Sequence, residues 1–278
     1  MRNTIAFIGV GNMASAIING IITKKENPFC AKNLILFDKY PPQLDKFRSI
    51  GAKIASDISD AVKDADCVVL SVKPQNFPEV LDEISKIEGI SNKLFITIAA
   101  GIKISTVKNY VDGAPVVRVL PNLPMVIGKG VSAICKDDSV NDSDFDFVAD
   151  IFSSSSKVIK IHESKMNRII SVTSSSPAYV FMLIDAMLGG AKSQGLVDGF
   201  GGDITKKEML DAICDTIIGA CELMKSSDCD ADELIRRVAS KGGTTEKAIC
   251  ELKNYSFTEG VISAMQKCTD RADELGKS

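Results

Sequence analysis

The chain has 278 residues, too many for one minimal domain and enough to bury two cores without disulfide or metal. Hydrophobic residues make up 45% and charged residues 25%, which excludes disorder, collagen and coiled-coil rods. With 33 Lys and Arg against 36 Asp and Glu the net charge is −3, and Trp is absent, so neither nucleic acid nor an anionic membrane is an expected partner.

The chain opens Met-Arg-Asn-Thr and runs straight into Ile5-Ala6-Phe7-Ile8, with no basic-then-apolar leader. Apolar, β-branched runs then recur at Thr4–Ile8, Leu34–Phe37, Cys67–Val72, Leu94–Ile98, Val116–Leu120, Val131–Cys135 and Val158–Ile161. Helical patterns lie between them at Met13–Thr23, Pro42–Ser49, Phe77–Ile87 and Ser105–Tyr110. Alternation of this kind predicts a Rossmann-like α/β domain, doubly wound around a mostly parallel sheet, over residues 1–162. After Ile161 only helical patterns remain, near 165–194, 205–225, 230–238 and 244–274, which predicts an all-α domain over 163–278. The longest uncharged run, 169–184, contains four Ser and a Thr and reads as too short and too polar to span a bilayer.

Eight cysteines are scattered without a Cys-x-x-Cys pair, as expected of reduced, buried thiols in a cytoplasmic protein. The single histidine, His162, argues against a His-based metal site or a Ser-His-Asp triad, and no metal is expected. Gly9-Val10-Gly11-Asn12-Met13-Ala14 carries the chemistry instead. It is a G-x-G-x-x-A turn between the first strand and first helix. In such a turn Gly9 permits the tight bend, Gly11 lets a pyrophosphate approach the backbone, and Ala14 lets helix pack on strand. Asp38 closes the second strand, where a carboxylate can hold the ribose hydroxyls of NAD and repel the 2′-phosphate of NADP. That favours NADH over NADPH, with Lys39 partly offsetting the repulsion.

Loops with small or rigid residues follow the next strands: Ser71-Val72-Lys73-Pro74-Gln75, Ala99-Ala100-Gly101 and Leu120-Pro121-Asn122-Leu123-Pro124. In the helical half, Ser174-Ser175-Ser176-Pro177-Ala178-Tyr179 puts a proline inside a helical pattern, which frees carbonyls and kinks the helix. Ser240-Lys241-Gly242-Gly243-Thr244-Thr245 precedes the last helix. Thr244 or Thr245 can cap it, and the Gly-Gly turn can offer N–H groups to a small carboxylate.

Together these motifs, in this order across nearly the whole chain, resemble the pyrroline-5-carboxylate reductase family. The resemblance implies NADH- or NADPH-dependent reduction of the C=N bond of 1-pyrroline-5-carboxylate to L-proline. It places the cofactor over Gly9, Gly11, Asn12, Met13, Asp38, Val72, Lys73, Pro74, Ala99 and Asn122. The substrate falls to Gly242, Gly243, Thr244, Thr245 and Ser175, with its carboxylate on the Gly243 and Thr244 N–H groups and the catalytic hydroxyl on Thr245. It also implies an interlocked dimer, or a larger ring of dimers, with the active site between one subunit's cofactor and helical-domain residues.

Four positions depart from the family pattern. Ser174 and Ser176 stand where the family has glycine, Lys241 where it has proline, and Arg237 where it commonly has Asn or Asp. Two other readings remain: a related β-hydroxy acid dehydrogenase, for which Lys165 is the nearest catalytic lysine, and a non-enzymatic or altered-substrate paralogue that binds NAD(P).

Overall fold

A computed structural model describes residues 2–24, 29–197 and 204–276. The strands are β1 (Ile5–Ile8), β2 (Leu34–Phe37), β3 (Lys53–Ile54), β4 (Cys67–Leu70), β5 (Leu94–Thr97), β6 (Val116–Leu120), β7 (Gly130–Lys136) and β8 (Ser156–Lys160). They form one sheet in the order β3-β2-β1-β4-β5-β6-β7-β8. Every neighbouring pair is parallel except β6 with β7. Residues 121–129 are too few for a crossover, which needs roughly a dozen or more, so β7 must return antiparallel. The doubly wound, mostly parallel sheet is the one the apolar runs predict. The edge strand β3 is additional, and two residues carry no readable strand pattern.

The helices flanking the sheet are α1 (Asn12–Thr23), α2 (Asp45–Arg48), α3 (Ile58–Lys63), α4 (Phe77–Ser85), α5 (Ile104–Lys108) and α6 (Asp142–Ser153). The pleat sends Ala6, Ile8, Val68 and Leu70 into one buried cluster, and Ile5, Phe7, Cys67 and Val69 into another. Both faces are therefore covered, which is why these strands read as unbroken apolar runs.

The helices after the sheet are α7 (Met166–Ile169), α8 (Ser176–Ser193), α9 (Lys206–Ser226), α10 (Ala231–Val238), α11 (Thr244–Asn254) and α12 (Phe257–Leu275). By their contacts the residues divide into two units, Met1–Ser175 with Lys267–Ser278, and Ser176–Gln266. The division expected at residue 162 thus lies inside the first unit. Met166, Ile170 and Ala272 are buried in the same apolar cluster as Ala6 and Ile8, and that burial holds 163–175 and the chain's last turns to the sheet.

Two expected helices are broken. A π-helical turn, Ile170–Ser174, interrupts the one read over 165–194, and α8 restarts with Pro177 in its first turn. Ser256 at φ 52° separates α11 from α12. Glu163–Ser193 is long and apolar enough, by length and composition, to cross a membrane, a correction to the reading of 169–184, because its flanking helical residues also count. The π turn divides that stretch.

Candidate active site

Ile8 pairs with both Phe37 and Leu70, so Gly9, Asp38 and Ser71 leave the carboxyl edge of three neighbouring strands side by side. Strand order reverses about β1, the switch point where open α/β sheets bind ligands. Gly9 has φ +91°, and a Cβ there would lie 3.0 Å from the Ser71 carbonyl and from Val72 Cγ1. Only glycine fits. Gly11 is different: its φ is −69°, and a Cβ would meet no protein atom within 4 Å. Its missing side chain keeps space open outside the protein. Gly11 and Asn12 are exposed, and no side chain caps α1, so its first N–H groups present a partial positive charge there. Ala14 is buried against the sheet, as the motif requires. A cradle left empty beneath an uncapped helix end fits a dinucleotide pyrophosphate.

A cleft of ≈ 280 Å³ opens at this edge, and Gly9, Gly11, Asp38, Val72 and Lys73 are among the residues lining it. The Asp38 carboxylate accepts the Val10 N–H at 2.6 Å on one oxygen and the Tyr40 N–H at 2.8 Å on the other. Ser71 Oγ donates to the Gly9 carbonyl at 2.6 Å. The turn is therefore held from both adjacent strands. Lys39 pairs with Glu79 in the first turn of α4 at 2.8 Å, and that hydrogen bond holds its ammonium above the ordinary lysine range.

The remaining cofactor candidates are spread more widely. Asn12 and Met13 form the first turn of α1 beside the cleft. Pro74 lines a separate groove with Phe77 and Leu275, and the Ala99 side chain is buried in the core. Asn122 is occupied: its side chain accepts the Val131 N–H at 2.8 Å and donates to the Thr173 carbonyl at 2.9 Å. Pro177 has no N–H to offer Thr173, four residues before it, so Asn122 satisfies the carbonyl that proline orphans. Ser71, which opens the loop after β4, also lines the cleft, as does Asn76, which the sequence did not single out. Its one signal was position just beyond the carboxyl end of β4.

In the second unit Gly242 adopts φ +75°, and Gly243 is the N-cap of α11. A Cβ on Gly243 would come 2.6 Å from Ser240 Oγ, so the double glycine is required by the turn itself. Neither threonine is the cap; Thr244 and Thr245 are the first two helical residues. The Gly243 N–H donates to the Ser240 carbonyl at 2.9 Å and the Gly242 N–H to Glu246 at 2.7 Å. No side chain caps the helix, which leaves the Thr244 and Thr245 N–H groups to receive an anion.

Elsewhere, Ser175 Oγ lies 3.2 Å from Cys268 Sγ, and the buried Ser174 hydroxyl has no partner among the described residues. Lys165 sits at the exposed start of the short α7. His162 caps the turn that follows it, through the Ser164 N–H. All eight cysteines are free, but Cys30, Cys221 and Cys250 are exposed rather than buried. Burial pushes the Cys135 thiol up to about 12 and raises Cys67 likewise, so neither supplies a thiolate near neutral pH.

Residues 163–275 match a family model described as pyrroline-5-carboxylate reductase dimerisation, and residues 4–101 one described as NADP oxidoreductase, coenzyme F420-dependent. The pyrroline-5-carboxylate reductase of Corynebacterium melassecola is 33% identical over 99% of both chains. That of Methanosarcina acetivorans is 31% identical over 98% of both. The crystal structure of Plasmodium falciparum pyrroline carboxylate reductase with NADP bound covers 99% of both chains at 26% identity, with a TM-score of 0.88.

Proposed function

The chain belongs to the pyrroline-5-carboxylate reductase family, and we propose that it reduces the C=N bond of 1-pyrroline-5-carboxylate to give L-proline, using NADH or NADPH. The observation that carries this reading is the end-to-end match to reductases of that name. When bound, the reduced nicotinamide supplies hydride to the ring carbon of that bond. The protonated ring nitrogen already makes this carbon electrophilic, so the protein's task is mainly binding and orientation.

The strands before residue 162 serve the cofactor, and the helices after it serve substrate and self-association. Gly9, Gly11, Asn12 and Met13 hold the pyrophosphate on the uncapped start of α1, and Asp38 takes the ribose. Each Asp38 oxygen retains a lone pair beyond its backbone bond. Val72, Lys73, Pro74 and Ala99 border the cofactor's length, whereas Asn122 acts indirectly by holding the loop after β6. Asp38 is fixed in place and Lys39 is already paired, which supports NADH as the better donor.

The substrate carboxylate goes to the Thr244 and Thr245 N–H groups, and the Thr245 hydroxyl hydrogen-bonds the ring nitrogen. Gly242 and Gly243 shape that turn. Ser175 contributes its hydroxyl, whose present neighbour, a thiol, is a weak partner that substrate can displace.

Self-association follows from the second unit. Phe181, Met182, Ile218, Leu223 and Ile262 are each more than half exposed, an apolar surface that a dimer or dimer-based oligomer would cover. Three exposed free thiols suit a reducing cytoplasm.

Oxidation of NADH or NADPH by the purified protein, with and without pyrroline-5-carboxylate, is the direct test. Substrate-dependent oxidation is expected. Nucleotide binding without turnover would leave the non-enzymatic paralogue as the reading. Sedimentation should show a species larger than the 29.8 kDa chain, and a stable monomer at micromolar concentration would rule out self-association.

A further inference from the structure

We propose that Glu79 sets the balance between the two nicotinamide dinucleotides, by engaging Lys39 and so withholding the cation next to Asp38 from a 2′-phosphate. This rests on reading the Gly9–Gly11 cleft as the nucleotide site. Lys39 is among the residues lining that cleft, and its Nζ lies 2.8 Å from Glu79 Oε1. Asn76 and Val80 also line it, and Glu79, next to Val80 in α4, reaches the cleft's border through its contact with Lys39.

Two carboxylates bear on a 2′-phosphate here, and they differ in freedom. Asp38 is held by two backbone N–H groups and cannot turn away. Among the described residues Glu79 is held only by Lys39, and both side chains are about two-thirds exposed. A pair so open to solvent contributes little to stability, so removing Glu79 should free Lys39 without disturbing the fold. Glu83, one helical turn further along α4, adds to the negative potential on Lys39. While Lys39 is paired with Glu79 its charge is offset, and a phosphate dianion meets Asp38 and Glu79 together. Lys73, after β4, also lines the cleft.

The test measures dissociation constants for NADPH and NADH by direct titration of the full-length protein, following nicotinamide fluorescence. In Glu79→Gln, NADPH binding should tighten about three- to tenfold while NADH stays within about twofold, since one screened surface charge is at stake. Adding Lys39→Gln to that variant should erase the gain, and raised salt should shrink it. An NADPH-to-NADH affinity ratio unchanged by Glu79→Gln overturns the proposal while the nucleotide site stands. Failure of the wild type to bind either dinucleotide overturns both. Because turnover is not the readout, the result is independent of the substrate assignment.

Discussion

The Val10 N–H donates to the Asp38 carboxylate at 2.6 Å, so the residue placed to read the ribose also fixes the glycine turn that receives the pyrophosphate. Replacing it touches both functions at once. Asp38→Ser should raise the preference for NADPH over NADH by about tenfold, because one poorly screened charge at the 2′ position is worth roughly 1–3 kcal/mol. The same change leaves the Val10 and Tyr40 N–H groups without their acceptor, and unfolding should become easier by about 1–3 kcal/mol. A wild-type protein that already prefers NADPH tenfold would contradict the first part.

Gly9 and Gly11 separate structure from ligand. Gly9→Ala forces a side chain onto φ +91° and to within 3.0 Å of Ser71, so Tm should fall by an amount matching about 1–3 kcal/mol. Gly11→Ala meets no protein atom within 4 Å, and stability should stay within about 0.5 kcal/mol of wild type. Its dinucleotide affinity should nevertheless drop at least about tenfold, the cost of roughly 1.4 kcal/mol at a crowded contact. Thermal melts and nucleotide titrations on the same preparations decide this, and unchanged affinity in Gly11→Ala would remove the cleft as the cofactor site.

Thr245 follows the N-cap Gly243 by two positions, so its loss removes no cap. Thr245→Ala should therefore melt like wild type, yet lose about ten- to a hundredfold in kcat/KM if its hydroxyl holds the charged ring nitrogen, a bond worth about 1.5–3 kcal/mol. Thr245→Ser should retain most activity. Full activity in Thr245→Ala would sink the catalytic assignment.

Arg2 grips Asp144 with two hydrogen bonds, at 2.7 and 2.9 Å, and these hold the carboxyl below the ordinary aspartate value of 3.8. A depressed folded-state value means that the unfolded chain takes up its proton first as pH falls. The pair's stabilisation is thus complete above about pH 5 and is lost as pH drops through the folded value, below 3.8. Asp144→Asn should cost about 1.5–3 kcal/mol at pH 7 and flatten the acid side of the Tm profile. An acid limb identical to wild type would show that other carboxylates dominate it.

Much of the fold is written in local pattern. The β–α alternation, the Gly9–Gly11 turn, the break at Pro177 and the Gly242–Gly243 turn each depend on residues close together in the chain, where period and backbone freedom are readable. Features that join distant residues were not readable in this way. Asn122 sits in a loop that resembles a ligand loop, but its amide is used 51 residues away, at the carbonyl freed by Pro177. The cap of α11 fell on Gly243 rather than on Thr244 or Thr245, with the Gly243 N–H donating to the Ser240 carbonyl.

Sequence alone determined that a parallel sheet would be followed by helices, and which turns would need glycine, because dihedral preference and apolar period act within a few residues. Only the tertiary structure decided that Asp38 would be held by Val10, that Lys39 would be matched by Glu79, and that residues 267–276 would return to the sheet-bearing unit. Those outcomes depend on which apolar faces bury together and which polar groups are then brought within hydrogen-bonding range. No local pattern encodes that selection.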